Sequence, residues 1–175
     1  MIRYTTSLGI LLLFVGSLLA AEKGPKSAKA ELHDAKGQKA GSATFKQAPD
    51  GVNISLKVFN VPPGTHAFHI HTVGKCEAPD FKTAGAHFNP QSMKHGMKNP
   101  SGPHAGDLPN ITVGKNGKGK AEILNKRVTL AAGTNSLFHE GGTALVIHEK
   151  ADDEITDPAG NAGNRIACGA IEKGK

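Results

Sequence analysis

Residues 40–60 read AGSATFKQAPDGVNISLKVFN and have the pattern of a β-hairpin. Ile54, Leu56 and Val58 alternate with their neighbours, and a side-chain period of two puts these three on one face of a strand. The turn Ala48-Pro-Asp-Gly51 combines the residues that favour a chain reversal between two strands. The two strands predicted here are Ala40–Gln47 and Val52–Asn60.

The rest of the chain continues this rhythm of short apolar runs and turns. No segment has a helical period of 3.6 over ten or more residues. Many short strands without helices predict an all-β fold, an antiparallel sandwich or barrel. The further predicted strands are Thr65–His71, Ile111–Val113, Lys120–Leu124, Arg127–Leu130, Ala144–Glu149 and Arg165–Ile171.

Length and composition indicate one globular domain. The chain has 175 residues, of which 38% are hydrophobic and 21% are charged, so a disordered chain is excluded. The formal net charge is +6. The lysines are scattered without interleaved aromatic residues, which argues against nucleic-acid binding. A positive bias favours a small anionic substrate instead.

Residues 1–21 have the pattern of a signal peptide. Arg3 gives a positive start, Leu8–Ala20 is an apolar run, and Ala20-Ala21 offers small residues for cleavage. The apolar run is too short to span a bilayer, so no stable membrane anchor is expected. We therefore expect an exported protein, periplasmic or extracellular, with a lead-in at 22–27 and a single domain at 28–175.

Cys76 and Cys168 are the only cysteines. An oxidising compartment permits them to form a disulfide, and two separate buried thiols are the alternative.

Two long loops interrupt the strands, at Thr72–Leu108 and Glu149–Asn164. Loops of this length without periodicity are usually functional or disordered. The first loop carries three histidines and an aspartate within 21 residues. Three neutral imidazoles and one carboxylate satisfy a tetrahedral zinc ion and leave no open position. The candidate zinc ligands are His87, His95, His104 and Asp107.

A second candidate metal site begins in the predicted strand Thr65–His71. His69 and His71 are two residues apart, so both imidazoles lie on the same face. His148 ends another predicted strand and is a candidate third ligand. Imidazoles suit copper and zinc alike.

Six motifs follow one another along the chain: His69-Ile-His71, Gly85-Ala-His-Phe-Asn-Pro90, Lys94-His-Gly96, His104-Ala-Gly-Asp-Leu108, His148-Glu-Lys-Ala-Asp-Asp153 and Gly160-Asn-Ala-Gly-Asn-Arg-Ile-Ala-Cys-Gly169. In this order they resemble the copper/zinc superoxide dismutase family, and the resemblance runs from about residue 28 to 172. It implies an eight-stranded antiparallel Greek-key β-barrel, an immunoglobulin-like sandwich with two long functional loops, holding one copper and one zinc ion.

The resemblance also implies roles for individual residues. Asp152 matches a carboxylate that hydrogen-bonds His69 and His95, and Cys76 and Cys168 match an intrasubunit disulfide. His87 matches an imidazolate that bridges the two metals. The implied copper ligands are His69, His71, His87 and His148, and the implied zinc ligands are His87, His95, His104 and Asp107.

The activity implied by the resemblance is antioxidant defence outside the cytoplasm. Two superoxide anions and two protons give dioxygen and hydrogen peroxide as copper alternates between Cu(II) and Cu(I). His87 and Arg165 are the implied catalytic residues: the His87 bridge to copper opens and takes up a proton, and Arg165 attracts and orients the anion.

Some positions depart from the family pattern. Pro158-Ala159 stands where familiar eukaryotic members carry a Lys-Thr pair, so steering of the substrate by that loop is in doubt. Less apolar residues at Gly141, Ala170 and Lys173 leave the family's usual homodimer open. His33, His66 and His139 match no ligand position. The alternative functions are a barrel that binds copper and zinc without turnover and a purely structural extracellular domain.

Overall fold

The computed structural model describes residues 24–174, and the predicted signal peptide at 1–21 lies outside them. The described chain is all-β, and its single helical segment is the 3-10 turn Lys82–Ala84. Within this range no helix is long and apolar enough to cross a membrane. The strands are β1 (Ser27–Asp34), β2 (Lys39–Ala48), β3 (Gly51–Val58), β4 (Gly64–His66), β5 (Phe68–His71), β6 (Ile111–Val113), β7 (Gly119–Asn125), β8 (Ala144–His148), β9 (Arg165–Ala170) and β10 (Glu172–Lys173).

The strands form a curled antiparallel sheet in the order β5-β8-β9-β1-β2-β3-β7, with β10 beside β1. A small second sheet pairs β4 with β6. Because β4 and β5 are one run of chain interrupted at Ala67, this small sheet continues the large one. The turn Gly114–Lys118 joins β6 to β7 and brings the ring of neighbours back to its start. With β4–β5 and β9–β10 each counted as one run, the described chain has eight strands, the number that the family resemblance implies.

The hairpin at residues 40–60 supplies much of the core. Phe45, Ile54 and Leu56 are at most 1% exposed, whereas Asn53 and Lys57, the residues before Ile54 and after Leu56, are exposed to solvent. Burying a large apolar side chain stabilises the fold by about 1.5–3 kcal/mol. The alternation of apolar and polar residues therefore fixes the register of β2 against β3, since a slip of one residue would expose the core side chains.

Strands β5 and β8 differ because both of their faces are buried. Phe68 and Ile70 on β5 belong to the main core. The opposite face carries His69 and His71, which are fully buried beneath the loops. This face of the barrel is where the polar residues of the protein interior collect.

The predicted strand Arg127–Leu130 was wrong. The structure has β7 ending at Asn125, and Thr129 forms only an isolated bridge with Ser136. The Asn125 side chain explains the break, because its Oδ1 accepts a hydrogen bond from the Arg127 backbone N–H at 2.9 Å and turns the chain. Val128 and Leu130 stay buried without joining a sheet.

The long loop at 72–108 is attached to the barrel by a disulfide and by backbone hydrogen bonds. Cys76 is bonded to Cys168 of β9, with 5.6 Å between their Cα atoms. Ile70 of β5 donates its N–H to the Gly106 carbonyl at 2.9 Å and accepts from the Phe88 N–H at 2.8 Å. Gly106 must be small, because a Cβ there would overlap the Ile70 carbonyl oxygen.

Replacing both cysteines, C76S with C168S, is expected to lower the free energy of unfolding of the metal-free protein by about 4 to 5 kcal/mol. The bond closes a loop with a sequence separation of 92, and its loss increases the entropy of the unfolded chain. Urea unfolding of the mature protein measures the difference. The wild-type protein under a phosphine reductant is the control and should unfold like the double variant. Equal stabilities of the oxidised wild type and the double variant would contradict the prediction.

Candidate metal centre

Four histidines meet at the end of the sheet where β5 pairs with β8. His69 and His71 project from β5, and His148 is the last residue of β8. An isolated bridge between His71 and His87 brings the loop residue His87 beside β5. The four side chains each offer a ligand atom, and these atoms lie within 4.8 Å of one another. The Nε2 atoms of His71 and His148 are 3.4 Å apart.

A second group lies next to the first and comes entirely from the loop at 72–108. It consists of His87, His95, His104 and Asp107, whose ligand atoms also lie within 4.8 Å of one another. All four residues are buried, with Asp107 and His95 at 0% exposure. His87 therefore belongs to both groups, and its two ring nitrogens are available to different neighbours.

The hydrogen bonds of the first group leave one nitrogen of each ring free. His71 Nδ1 lies 2.9 Å from the Gly85 carbonyl oxygen, so that nitrogen carries the proton and Nε2 keeps its lone pair. His69 Nε2 donates to Asp152 Oδ2 at 2.8 Å, which frees Nδ1. His69 Nδ1 and His87 Nε2 are buried without any hydrogen-bond partner. Buried polar atoms with free lone pairs that converge are what a metal ion requires.

The second group is crowded around a single oxygen. Asp107 Oδ1 lies 2.9 Å from His87 Nδ1, 3.1 Å from His95 Nδ1 and 3.2 Å from His104 Nδ1. An oxygen has two lone pairs and cannot accept three hydrogen bonds in this arrangement, and His104 Nδ1 has no hydrogen-bond geometry. Three imidazole nitrogens and one carboxylate oxygen at these separations fit ligands that share one cation.

Asp152 connects the two groups. Its Oδ2 accepts from His69 and its Oδ1 accepts from His95 Nε2 at 3.0 Å. Each imidazole is thereby held with its Nδ1 turned toward its own group. Gly160 closes over this carboxylate with φ +61°, and a Cβ there would overlap both Asp152 Oδ1 and His95 Nε2.

Burial governs the charge of the centre. Burial lowers the pKa of His87 to about 4 and the pKa of His148 to about 3, so both rings are neutral at pH 7. Burial also opposes charge on His95, but its hydrogen bonds to Asp107 and Asp152 outweigh that effect and raise its pKa to about 9. Hydrogen bonds from the imidazoles hold the pKa of Asp107 well below its usual value in spite of burial. The result is two ionised carboxylates among imidazoles.

Arg165 lies beside the first group because it pairs with His148 across β8 and β9. Its Nη1 donates to the Phe81 carbonyl and its Nη2 to the Gly85 carbonyl, both at 2.6 Å. The guanidinium is half-buried and lines an open cavity of about 390 Å³. The other residues that line this cavity are Pro79, Asp80, Lys82, Gly163 and Asn164.

The remaining histidines have different surroundings. His33 is an exposed residue of β1. His66 is buried, with Nδ1 2.9 Å from the His148 carbonyl oxygen and Nε2 2.8 Å from the Pro62 carbonyl oxygen, so it supports the backbone of His148. His139 stacks on Phe88 with ring centroids 5.1 Å apart. The sequence pattern of residues 64–66 gave no sign that His66 reaches the end of β8.

This chain is similar to known proteins over most of its length. Residues 39–171 match the family profile described as copper/zinc superoxide dismutase. "Superoxide dismutase [Cu-Zn] 1" of Aquifex aeolicus is 54% identical over 145 residues, which are 82% of this chain and 86% of that protein. "Superoxide dismutase [Cu-Zn]" of Caulobacter vibrioides is 42% identical over 149 residues, which are 83% of this chain and 86% of that protein.

A solved structure has the same fold. The crystal structure of a SOD-like protein from Bacillus subtilis superposes with a TM-score of 0.78 at 39% identity, over 81% of this chain and 96% of that one. Given the profile match and these identities, the chain belongs to the copper/zinc superoxide dismutase family.

Proposed function

We propose that this protein disproportionates superoxide, with copper in the group His69, His71, His87 and His148 and zinc in the group His87, His95, His104 and Asp107. The observation that carries the proposal is the sharing of His87 between two buried groups. One imidazole in reach of both groups couples their charges through its ring. The two relatives from Aquifex aeolicus and Caulobacter vibrioides are named superoxide dismutases, which supports the same activity here.

The donor sets favour these metals. Three imidazoles and a carboxylate form a closed tetrahedral set, as structural zinc sites have. Four imidazoles suit copper, and the open cavity lined by Arg165 is the proposed entrance to them. When bound, copper supplies a one-electron couple that takes an electron from one superoxide and returns it to another, whereas zinc has no second accessible redox state.

The protein side chains guide the anion and a proton. Arg165 holds a permanent positive charge at the entrance, where it attracts superoxide and orients it toward the four imidazoles. His87 Nε2 takes up a proton in the first half of the cycle and gives it up in the second. That proton and one from solvent join the second superoxide, so two superoxide ions and two protons give one dioxygen and one hydrogen peroxide.

Loading the metal-free mature protein with one equivalent each of copper and zinc tests the proposal. We expect superoxide loss well above the uncatalysed rate, measured by pulse radiolysis or a cytochrome c assay. A protein that binds one copper and one zinc ion but leaves the uncatalysed rate unchanged would instead be a metal-binding module.

We also propose that the protein acts outside the cytoplasm. The leader pattern at 1–21 and the bond between Cys76 and Cys168 support export, because structural disulfides persist in oxidising compartments. Intact-mass measurement of protein purified from its natural source should give a chain that begins near residue 22 with the disulfide formed. A full-length, reduced chain would contradict export.

Removing one ligand from each group should remove one metal at a time. H71A is expected to lose copper and retain one zinc ion, because His71 belongs to the first group only. H104A is expected to lose zinc and retain one copper ion. Elemental analysis of the dialysed proteins measures both contents, and superoxide activity should fall to the uncatalysed rate in H71A.

H33A is the matched control, because His33 is exposed and lies outside both groups. It should keep both metals and full activity. Retention of zinc by H104A, or loss of copper from H33A, would contradict the assignment of ligands to the two groups.

Replacing the arginine at the entrance should slow the reaction without removing metal. R165A is expected to lower kcat/KM for superoxide about 10-fold or more, since a guiding charge raises association rates by that order. R165K should be intermediate, because it keeps the charge without the bidentate geometry. The dependence of kcat/KM on ionic strength should also weaken in R165A.

K57A removes the same charge from an exposed position on β3, outside the entrance. It should leave kcat/KM nearly unchanged. An equal decrease in R165A and K57A would mean that only net charge matters and that Arg165 has no special position.

A further inference from the structure

The turn His104–Asp107 carries two candidate zinc ligands, whose side chains face other polar side chains. The donors to its backbone carbonyl oxygens show what holds the turn in place, since each buried carbonyl needs a donor. The Gly106 carbonyl accepts from the Ile70 N–H of β5 at 2.9 Å. The other three carbonyls, those of His104, Ala105 and Asp107, accept hydrogen bonds from side chains at the end of β7. The His104 carbonyl also accepts from the Asp107 N–H at 3.3 Å.

Two side chains supply donors to these three carbonyls. Asn125 Nδ2 donates to the Ala105 carbonyl at 2.9 Å. Arg127 Nε donates to the His104 carbonyl at 3.2 Å and Arg127 Nη2 donates to the Asp107 carbonyl at 2.8 Å. One guanidinium thus reaches the backbone of both zinc-ligand residues at once.

The donors are themselves fixed. Asn125 is 1% exposed, and its Oδ1 accepts the Arg127 N–H at 2.9 Å. Asn135 Nδ2 donates to the Arg127 carbonyl at 2.9 Å. The Arg127 side chain is half-buried, and its Nη2 also contacts the Met97 sulfur at 3.5 Å. Arg127, which the sequence pattern predicts as the start of a strand, is instead held outside the sheet by these hydrogen bonds.

We propose that Arg127, held by Asn125, is a positioning residue that keeps His104 and Asp107 in place for zinc. The inference rests on the proposed zinc group. Only a guanidinium has donors spaced to serve two carbonyls three residues apart while remaining charged. The Arg127 side chain fixes the turn before metal binds. It also slows the opening of the turn, which is the motion by which zinc would leave.

Zinc release from the copper- and zinc-loaded protein tests the proposal. R127A should release zinc to an excess of a chromogenic chelator about 10 to 100 times faster than the wild type, which is the usual effect of losing a partner behind a metal ligand. R127K keeps the charge and can serve one carbonyl, so its rate should be intermediate. Copper release should not change, because Arg127 contacts no residue of the copper group.

Cobalt(II) in place of zinc gives a second readout. Its visible d–d bands report the geometry of the four ligands, and R127A should shift or weaken them. A purely structural role for Arg127 would lower the unfolding temperature and leave these bands as in the wild type. If R127A does not fold, R127K carries the test through the same bands and release rates.

K126A is the matched control. Lys126 directly precedes Arg127 in the chain and is exposed. Its Nζ pairs with Asp50 at a distance of 3.0 Å rather than with the turn His104–Asp107. Its zinc release should equal that of the wild type. Wild-type release by R127A, or equal acceleration in R127A and K126A, would overturn the positioning role. Retention of cobalt by H104A would instead overturn the zinc assignment itself.

Discussion

Eight polar side chains, six imidazoles and two carboxylates, are buried at one face of an apolar barrel, and each of their hydrogen-bonding atoms has to find a partner. Burying a polar group without a partner costs several kcal/mol, so this requirement constrains everything around the centre. Asp152, Gly85 and Gly163 take up the outer nitrogens of His69, His95, His71 and His148. The inner atoms converge on two points, which are the proposed copper and zinc positions.

The two groups depend on the fold in different ways. Three of the four histidines proposed for copper come from β5 and β8, whose pairing fixes their spacing. All four residues proposed for zinc come from one loop, which has no sheet to fix it. The loop is held by hydrogen bonds to its backbone, from Ile70 on one side and from Asn125 and Arg127 on the other. The geometry of the proposed copper group therefore follows from strand register, and the geometry of the proposed zinc group follows from how firmly these donors hold the loop.

Features with a local pattern could be predicted from the sequence. The alternation of Ile54, Leu56 and Val58 gave the hairpin, and the spacing of His69 and His71 put both on one face. Features made by side chains that reach distant backbone atoms could not be predicted. His66 contacts a carbonyl 82 residues away, and Arg127 contacts carbonyls 20 and 23 residues away. The prediction of a strand at Arg127–Leu130 failed for a similar reason. Val128 and Leu130 are buried, as in a strand, but the turn made by the Asn125 side chain removes the segment from the sheet.

Ile70 connects one strand to both groups through its backbone. Its side chain packs in the core, while its N–H and carbonyl bind the loop at Gly106 and Phe88, next to the ligands Asp107 and His87. The flanking His69 and His71 belong to the proposed copper group. A displacement of β5 would therefore move ligands of both metals together, whereas a displacement of the turn His104–Asp107 would affect zinc alone. His87, the residue common to both groups, is held at its backbone by β5 through the bridge to His71 and through the hydrogen bond from the adjacent Phe88 N–H to Ile70, so the strand fixes the shared ring for both groups.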